Sequence, residues 1–274
     1  MNAISSLSFS RYANVFTDGL SIENLRQNVP SVFADAAHES LSRKYTFIPT
    51  ERVLSGLMSA GFVPVEARQT HCRKGSSVHA RHVVRLRRRF ETVALRDAVP
   101  EVVFLNSHDG TSAYQLRLGL FRAVCTNGLI VSVGAFPAYC VAHRGDVVDE
   151  VVTAALEASE RFEALAGRVE CMEQRRLDRS EQIGFAGKAL ALRFPELDKA
   201  GMQPSRLLEC RRMDDTGDDL WTVFNRVQEN LLGGGLVRRT ESGRLSRTRR
   251  ITSIRQDVRL NSRLWDLAEE VLAA

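Results

Sequence analysis

Near residue 146 the hydrophobic pattern of this chain changes period, and that change limits the folds open to it. Before it, apolar residues alternate or cluster in short runs divided by turn residues; after it they recur at spacings of three and four. Phe62 to His71, Val78 to Phe90, Glu101 to Asn106 and Ser112 to Leu120 read as strands, with shorter ones at Leu129 to Val133 and Ala138 to His143. Cys72 to Ser77 supplies one turn and His108-Asp109-Gly110 another, so neighbouring strands pair antiparallel. A helix with Thr50 as N-cap and a stop at Gly61 precedes them. From Asp146, the positions of Val147, Val148, Val151, Val152, Ala155 and Leu156 mark a helix running past Phe162 to about Arg176. Further helices are expected at Ser180 to Arg193, Pro204 to Arg211, Leu220 to Leu232 and Leu260 to Leu272. Sheet first and helices after is an α+β class: an antiparallel β-sheet followed by a helical C-terminal half.

Charge follows the same division. Residues 1–145 carry 17 basic and 10 acidic side chains, residues 146–232 carry 12 and 18, and residues 233–274 carry 9 and 5. The chain therefore reads as an N-terminal extension (1–45), a sheet region with a basic face (46–145), an acidic helical region (146–232) and a basic arm with a closing helix (233–274), packed as one compact domain. Of the 38 basic residues, 34 are arginine. A GC-rich genome would raise arginine everywhere, but codon bias alone does not segregate charge by region. Guanidinium groups meet phosphate oxygens bidentately, which makes a phosphate backbone the natural partner of the basic parts. Five cysteines at irregular spacing argue against a disulfide framework and for a reducing cytoplasm. No run of eighteen apolar residues and no signal-peptide pattern occur, so no membrane partner is expected.

Two segments carry the basic character. In Arg81-His-Val-Val-Arg-Leu-Arg-Arg-Arg89, alternation places Arg81, Arg85, Arg87 and Arg89 on one strand face. Like charges on one face repel unless an anion or cross-strand carboxylates lie over them. Nucleic-acid phosphate is one candidate; a solvated face with carboxylate partners, or an acidic protein, are the others. The second segment, Arg238 to Arg259, holds eight arginines in 22 residues, including Arg247, Arg249 and Arg250. It resembles a flexible arm that tracks phosphates, and Gly233-Gly234-Gly235 would let it swing. Tyr114, near Arg117, and Phe121, before Arg122, could stack on bases, although aromatics in alternating strands are usually core.

The phrases NSHDG (from Asn106), GLFRAVCTNGL (from Gly119), FNRVQENLLGGG (from Phe224) and DVRLNSRLWDLAEE (from Asp257) resemble the domain of unknown function 932 family, over roughly Tyr45 to Ala274. That resemblance implies a bacterial protein of plasmids and prophages, and no particular chemistry. The order of helix, β-meander and helices is also broadly similar to single-strand-annealing recombination proteins, a likeness of layout alone. It would imply assembly of copies into rings or filaments.

Two further chemistries have residues of the right type in this chain. Cys125 as nucleophile with His108 as base and Asp109 as orienter would make a thiol hydrolase. Against it, Asp109 on a tight turn caps backbone groups and Cys125 packs beside an Asn127-Gly128 turn. His71, Cys72, His79 and His82 could meet around zinc, but adjacent His71 and Cys72 point to opposite strand faces and no CxxC pair exists, so no metal site is assigned. Phosphate-loop and dinucleotide motifs do not occur, and no cofactor is expected. The sequence thus points to a nucleic-acid-binding protein of a mobile element, favouring single-stranded DNA and possessing no evident catalytic centre. An interaction protein acting on a host defence system, or a cysteine-dependent or nuclease-like enzyme, are the rival classes.

Overall fold

The computed structural model describes residues 19–42, 45–70, 77–89, 98–122, 128–131, 139–141, 147–195, 201–211, 213–240 and 242–274. They form two compact units, Met1–Glu163 and Ala164–Ala274. The boundary lies inside the stretch that the charge pattern treats as one acidic region.

In the first unit, α1 (Ile22–Asn28) and a 3-10 turn (Pro30–Phe33) lead to α2 (Thr50–Ser59). Ser21 caps α1 by accepting from the Asn24 amide. Helix α2 buries Val53, Leu54 and Leu57 on one stripe, the burial that its 3.6-residue spacing predicts. Its cap differs from expectation. Pro49 holds the cap position, and Thr50 is the first helical residue with its hydroxyl turned into the core.

The sheet follows as β1 (Phe62–Gln69), β2 (His82–Arg88), β3 (Ala98–Asn106), β4 (Tyr114–Arg122), β5 (Gly128–Val131) and β6 (Tyr139–Val141). The order is β1-β2-β3-β4-β5, every pair antiparallel, and β6 also pairs with β4. Strands β5 and β6 take successive halves of one β4 edge, opposite Leu118–Phe121 and Tyr114–Leu116 respectively. The register shifts between Pro64 and Glu66, a bulge that brings Glu66 opposite Arg85. On one sheet face Val84, Leu86, Val102, Phe104, Leu116 and Leu118 are all buried. Helices α2 and α3 (Val148–Ser159) pack together, α2 on β1 and α3 on β3 and β4. Gly56 permits the helix contact, since a Cβ there would stand 2.8 Å from Val148 Cγ1.

The helix expected to run on to about Arg176 is two helices. Helix α3 ends at Ser159, whose hydroxyl donates back to the Leu156 carbonyl at 2.7 Å, and α4 (Phe162–Gln174) starts afresh.

The second unit contains α5 (Arg179–Arg193), 3-10 turns at Pro204–Leu208 and Met213–Asp215, α6 (Leu220–Gly233), the hairpin β7 (Val237–Arg239) and β8 (Leu245–Arg247), and α7 (Ile254–Ala273). Asp178 and Glu181 close a reciprocal capping box on α5. Asp219 caps α6 and Ser253 caps α7. Helix α6 is buried from Leu220 to Leu232. Its apolar stripe behaves as its spacing predicts: Trp221 stacks on Phe224, and Phe224 meets Trp265 of α7 edge-on. The opposite, polar face (Asn225, Gln228, Glu229 and Asn230), which from sequence could contact a ligand or cap the neighbouring arm, is interior too. Gln228 donates to Asn261 Oδ1 at 2.6 Å, Asn230 to the Leu207 and Glu209 carbonyls, and Arg226 to the Gly217 carbonyl.

The glycine run after α6 is a packed turn and not a swivel. Gly234 adopts φ 72° and ψ −156°, backbone essentially confined to glycine, and a Cβ there would lie 2.6 Å from the Arg249 carbonyl carbon. Gly235 N donates to Thr248 O, and Ile251 N to Leu232 O, so the hairpin is tied at its base. Gly234→Ala is expected to lower stability by about 2 kcal/mol, read as a fall in Tm. An unchanged Tm would show that the turn relaxes without strain.

Candidate nucleic-acid interface

The sheet arginines are answered by carboxylates. Register places Glu66, Arg85, Arg87, Glu101 and Phe121 on the same face of β1 to β4. Arg85 Nε donates to Glu101 Oε2 at 2.5 Å and its Nη1 to Glu66, while Arg87 Nε donates to Glu101 Oε1 at 2.8 Å. The Arg85 guanidinium also lies 3.8 Å from the Phe121 ring centroid. Arg85 is 8% exposed and Glu101 1%. Burial opposes the charge on Arg85, and the two carboxylates more than offset it, so its pKa is raised. The cross-strand-carboxylate reading therefore describes Arg85 and Arg87, whose charge is neutralised within the fold. Arg81 is half-buried and donates to the Thr111 carbonyl at 2.5 Å; Arg89 is exposed. Arg117 reaches Gln115 at 3.0 Å, and the Arg122 side chain lies outside the described residues.

Tyr114 is not available to a base. It is fully buried, stacked on Phe104 at 5.6 Å, and donates to the Ile48 carbonyl; burial raises its pKa. It belongs to a closed polar cluster at one end of the sheet, built from Thr50, His82, Asn106 and His108, all 0% exposed. Around Thr50 Oγ1 stand Asn106 Nδ2 at 2.9 Å, His108 Nε2 at 3.0 Å and His82 Nε2 at 3.1 Å. One hydroxyl proton fixes the pattern. His82 Nδ1 faces the Ala80 carbonyl at 3.0 Å, so it carries the proton and its Nε2 accepts from Thr50. Thr50 in turn accepts from Asn106 and from His108 Nε2–H. Burial pushes the His82 pKa down to about 4, in keeping with a neutral ring.

The same geometry speaks to the enzymatic alternative. His108 points into this cluster, and Asp109 points away to Thr111, accepting from its amide at 2.9 Å and its hydroxyl at 2.6 Å. Burial opposes the Asp109 charge, but these bonds, Ser107 and Arg81 hold its pKa below the ordinary value. Asp109 is thus the turn cap of the bland reading. Cys125, His71 and Cys72 lie outside the described residues. No described group of three or more His, Cys, Asp or Glu side chains is placed to hold a metal, and among the described residues no helix is long and apolar enough to cross a membrane.

The second unit presents the open basic surface. Arg238, Arg239, Arg244, Arg247, Arg249 and Arg250 are all exposed on or beside the β7–β8 hairpin. Among the described residues none of the six forms an ion pair; Arg238 reaches Ser246 at 3.4 Å and Arg239 the Gly243 carbonyl at 3.4 Å. Beside them lies an open groove of about 430 Å³ whose lining includes Arg193 and Phe194 from the end of α5, Arg238, and Ser246 to Arg249; Arg238 and Ser246 share one face of the hairpin and Arg247 belongs to the other. Arg238 opens the basic segment read from sequence, whereas Arg193 and Phe194 escaped that reading, because Arg193-Phe194 before Pro195 looks like a plain helix stop.

These features define an α+β protein with an antiparallel meander, a buried histidine–threonine cluster and an exposed arginine hairpin. The chain belongs to the Domain of unknown function (DUF932) family, which it matches over residues 37–265. It is similar to UPF0380 protein YafZ of Escherichia coli (strain K12), 43% identical over 254 residues and 92% of each chain. It is similar also to UPF0380 protein YfjQ of the same strain, 42% identical over the same share of each. No solved structure matches the chain.

Proposed function

We propose that this protein binds nucleic acid through the arginine hairpin of its second unit, with single-stranded DNA as the preferred form. The observation that carries the reading is the set of six exposed arginines on and beside one short hairpin, without carboxylate partners among the described residues. Such a surface repels itself in the free protein and gains from phosphate, whose counterions it releases. The sheet arginines named from sequence contribute less, because Glu66 and Glu101 already neutralise Arg85 and Arg87. A part in strand annealing within a mobile element belongs to the same reading, since an annealing protein must grip backbone while leaving base edges open. The exposed free thiols Cys171 and Cys210 fit a reducing cytoplasm.

The test is fluorescence anisotropy of labelled single- and double-stranded oligonucleotides against the full chain over a range of salt. Submicromolar binding to single strands is expected. Arg247→Ala/Arg249→Ala/Arg250→Ala should weaken it about tenfold or more and lower the salt slope by about 2, near 0.7 per lost contact. No binding at low salt, or a triple variant that binds as tightly as wild type, would overturn the proposal.

A further inference from the structure

The register of the hairpin sorts its side chains between two faces. Val237 stands opposite Arg247 and Arg239 opposite Leu245, so these four share one face, while Arg238 and Ser246 share the other. Hydrogen bonds from Thr248 N to Leu236 O and from Thr240 N to Arg244 O bracket the strands. The bonded pairs are therefore the even-numbered ones, and Val237–Arg247 and Arg239–Leu245 are non-hydrogen-bonded pairs. Side chains stand closer across such pairs than across bonded ones. Each aliphatic side chain thus has a guanidinium stem directly across from it.

This face is open. Leu245 is 67% exposed and Val237 49%, with Arg239 and Arg247 exposed beside them. Among the described residues neither arginine is paired with a carboxylate, and Arg239 reaches only the Gly243 carbonyl, at 3.4 Å. A lone aliphatic residue at a surface is ordinary. Two of them interleaved with two uncompensated cations, on a ribbon of three residues per strand, form a surface that gains from apolar area and negative charge offered together. A duplex offers phosphate but keeps its base faces stacked inside. A single strand offers a phosphate and an unpaired base at every step.

Resting on the reading above, we infer that this face of the hairpin receives the bases of a single strand, which lie on Leu245 and Val237 while Arg239 and Arg247 hold the flanking phosphates. The contact removes apolar area of base and side chain from water, and a thymine adds its methyl group to that area. Arg238 lies on the opposite face with Ser246 across from it, so it supplies charge with no aliphatic partner. The preference for single strands then resides in Leu245 and Val237, and the general attraction to phosphate in the arginines.

The experiment compares labelled oligothymidylate with an abasic deoxyribose-phosphate oligomer of equal length, bound by the full chain. Wild type should prefer the base-bearing strand by about fivefold or more, the effect of covering one or two half-exposed aliphatic side chains. Leu245→Ser and Val237→Thr should each reduce that ratio and together abolish it, with Tm as in wild type because both side chains lie at the surface. Leu245→Phe should raise the ratio, since an aromatic ring stacks on a base better than an aliphatic chain. Arg238→Ala should weaken binding of both strands alike and leave the ratio where it was. Equal binding of the two strands by wild type would overturn the inference and leave the arginine-hairpin proposal standing, as would a ratio that survives in the double variant. Failure of wild type to bind either strand would overturn both.

Discussion

Glu101→Ala is expected to destabilise the first unit by roughly 3–5 kcal/mol, seen as a lower urea midpoint with an unchanged slope. Glu101 sits 1% exposed and accepts from both Arg85 and Arg87. Removing it strands a guanidinium that is itself 8% exposed. Glu66 remains on Arg85, but its side chain is one-third exposed and compensates the buried charge less well. The loss is mainly that of leaving a buried cation uncompensated, so exchanging the partners together for apolar residues of similar volume should cost much less than the single change. Glu101→Gln, which retains shape and an acceptor oxygen, should fall between. A loss below about 1 kcal/mol would mean that these pairs behave as solvent-exposed ion pairs.

The second large effect is a loss of stability in mild acid. His82 has its pKa lowered from 6.5 to about 4 in the folded chain, by burial above all. The unfolded chain therefore takes up a proton at pH values where the fold keeps the ring neutral. Stability on this account is complete above pH 6.5 and falls as pH drops from there toward 4. The slope approaches about 1.4 kcal/mol per pH unit and the total is roughly 3 kcal/mol. Chemical denaturation between pH 8 and 5, above the range where most carboxylates titrate, should register about 2 kcal/mol of it. His82→Gln should be less stable at pH 8 and show a shallower decline below pH 6.5. An identical decline in that variant would assign the acid sensitivity to other groups.

The sequence pattern located the meander, the change to helices and the apolar stripes of α6 and α7, because burial on one face imposes a period that survives in a single chain. It did not locate the partners of Arg85. Which residue lies across a strand depends on register, and here on a bulge between Pro64 and Glu66 that no alternation announces. Threonine before an apolar stripe ordinarily serves as a cap, whereas the Thr50 hydroxyl is claimed by His82 of β2, Asn106 at the end of β3 and His108 in the turn after it. On sequence alone the polar face of α6 could contact a ligand or cap the neighbouring arm, because a helical period separates apolar from polar, not inside from outside. Gly234 looked like a hinge because glycine permits both freedom and close approach; Arg249 lying against it decides for the latter. Of the expected site residues, Arg247, Arg249 and Arg250 stand where a backbone could reach them, and Tyr114 does not.

The interior of α6 also constrains how this segment can diverge between relatives. Gln228 with Asn261, and Asn230 with the carbonyls of Leu207 and Glu209, are lock and key to one another inside the second unit. A single change at either end of such a bond leaves the other end buried and unsatisfied, a loss of about 1–3 kcal/mol. Neutral drift through α6 is thereby blocked one residue at a time and open only to coordinated exchanges, while the exposed hairpin beyond Gly235 is free to change its side chains singly and so to retune what it holds.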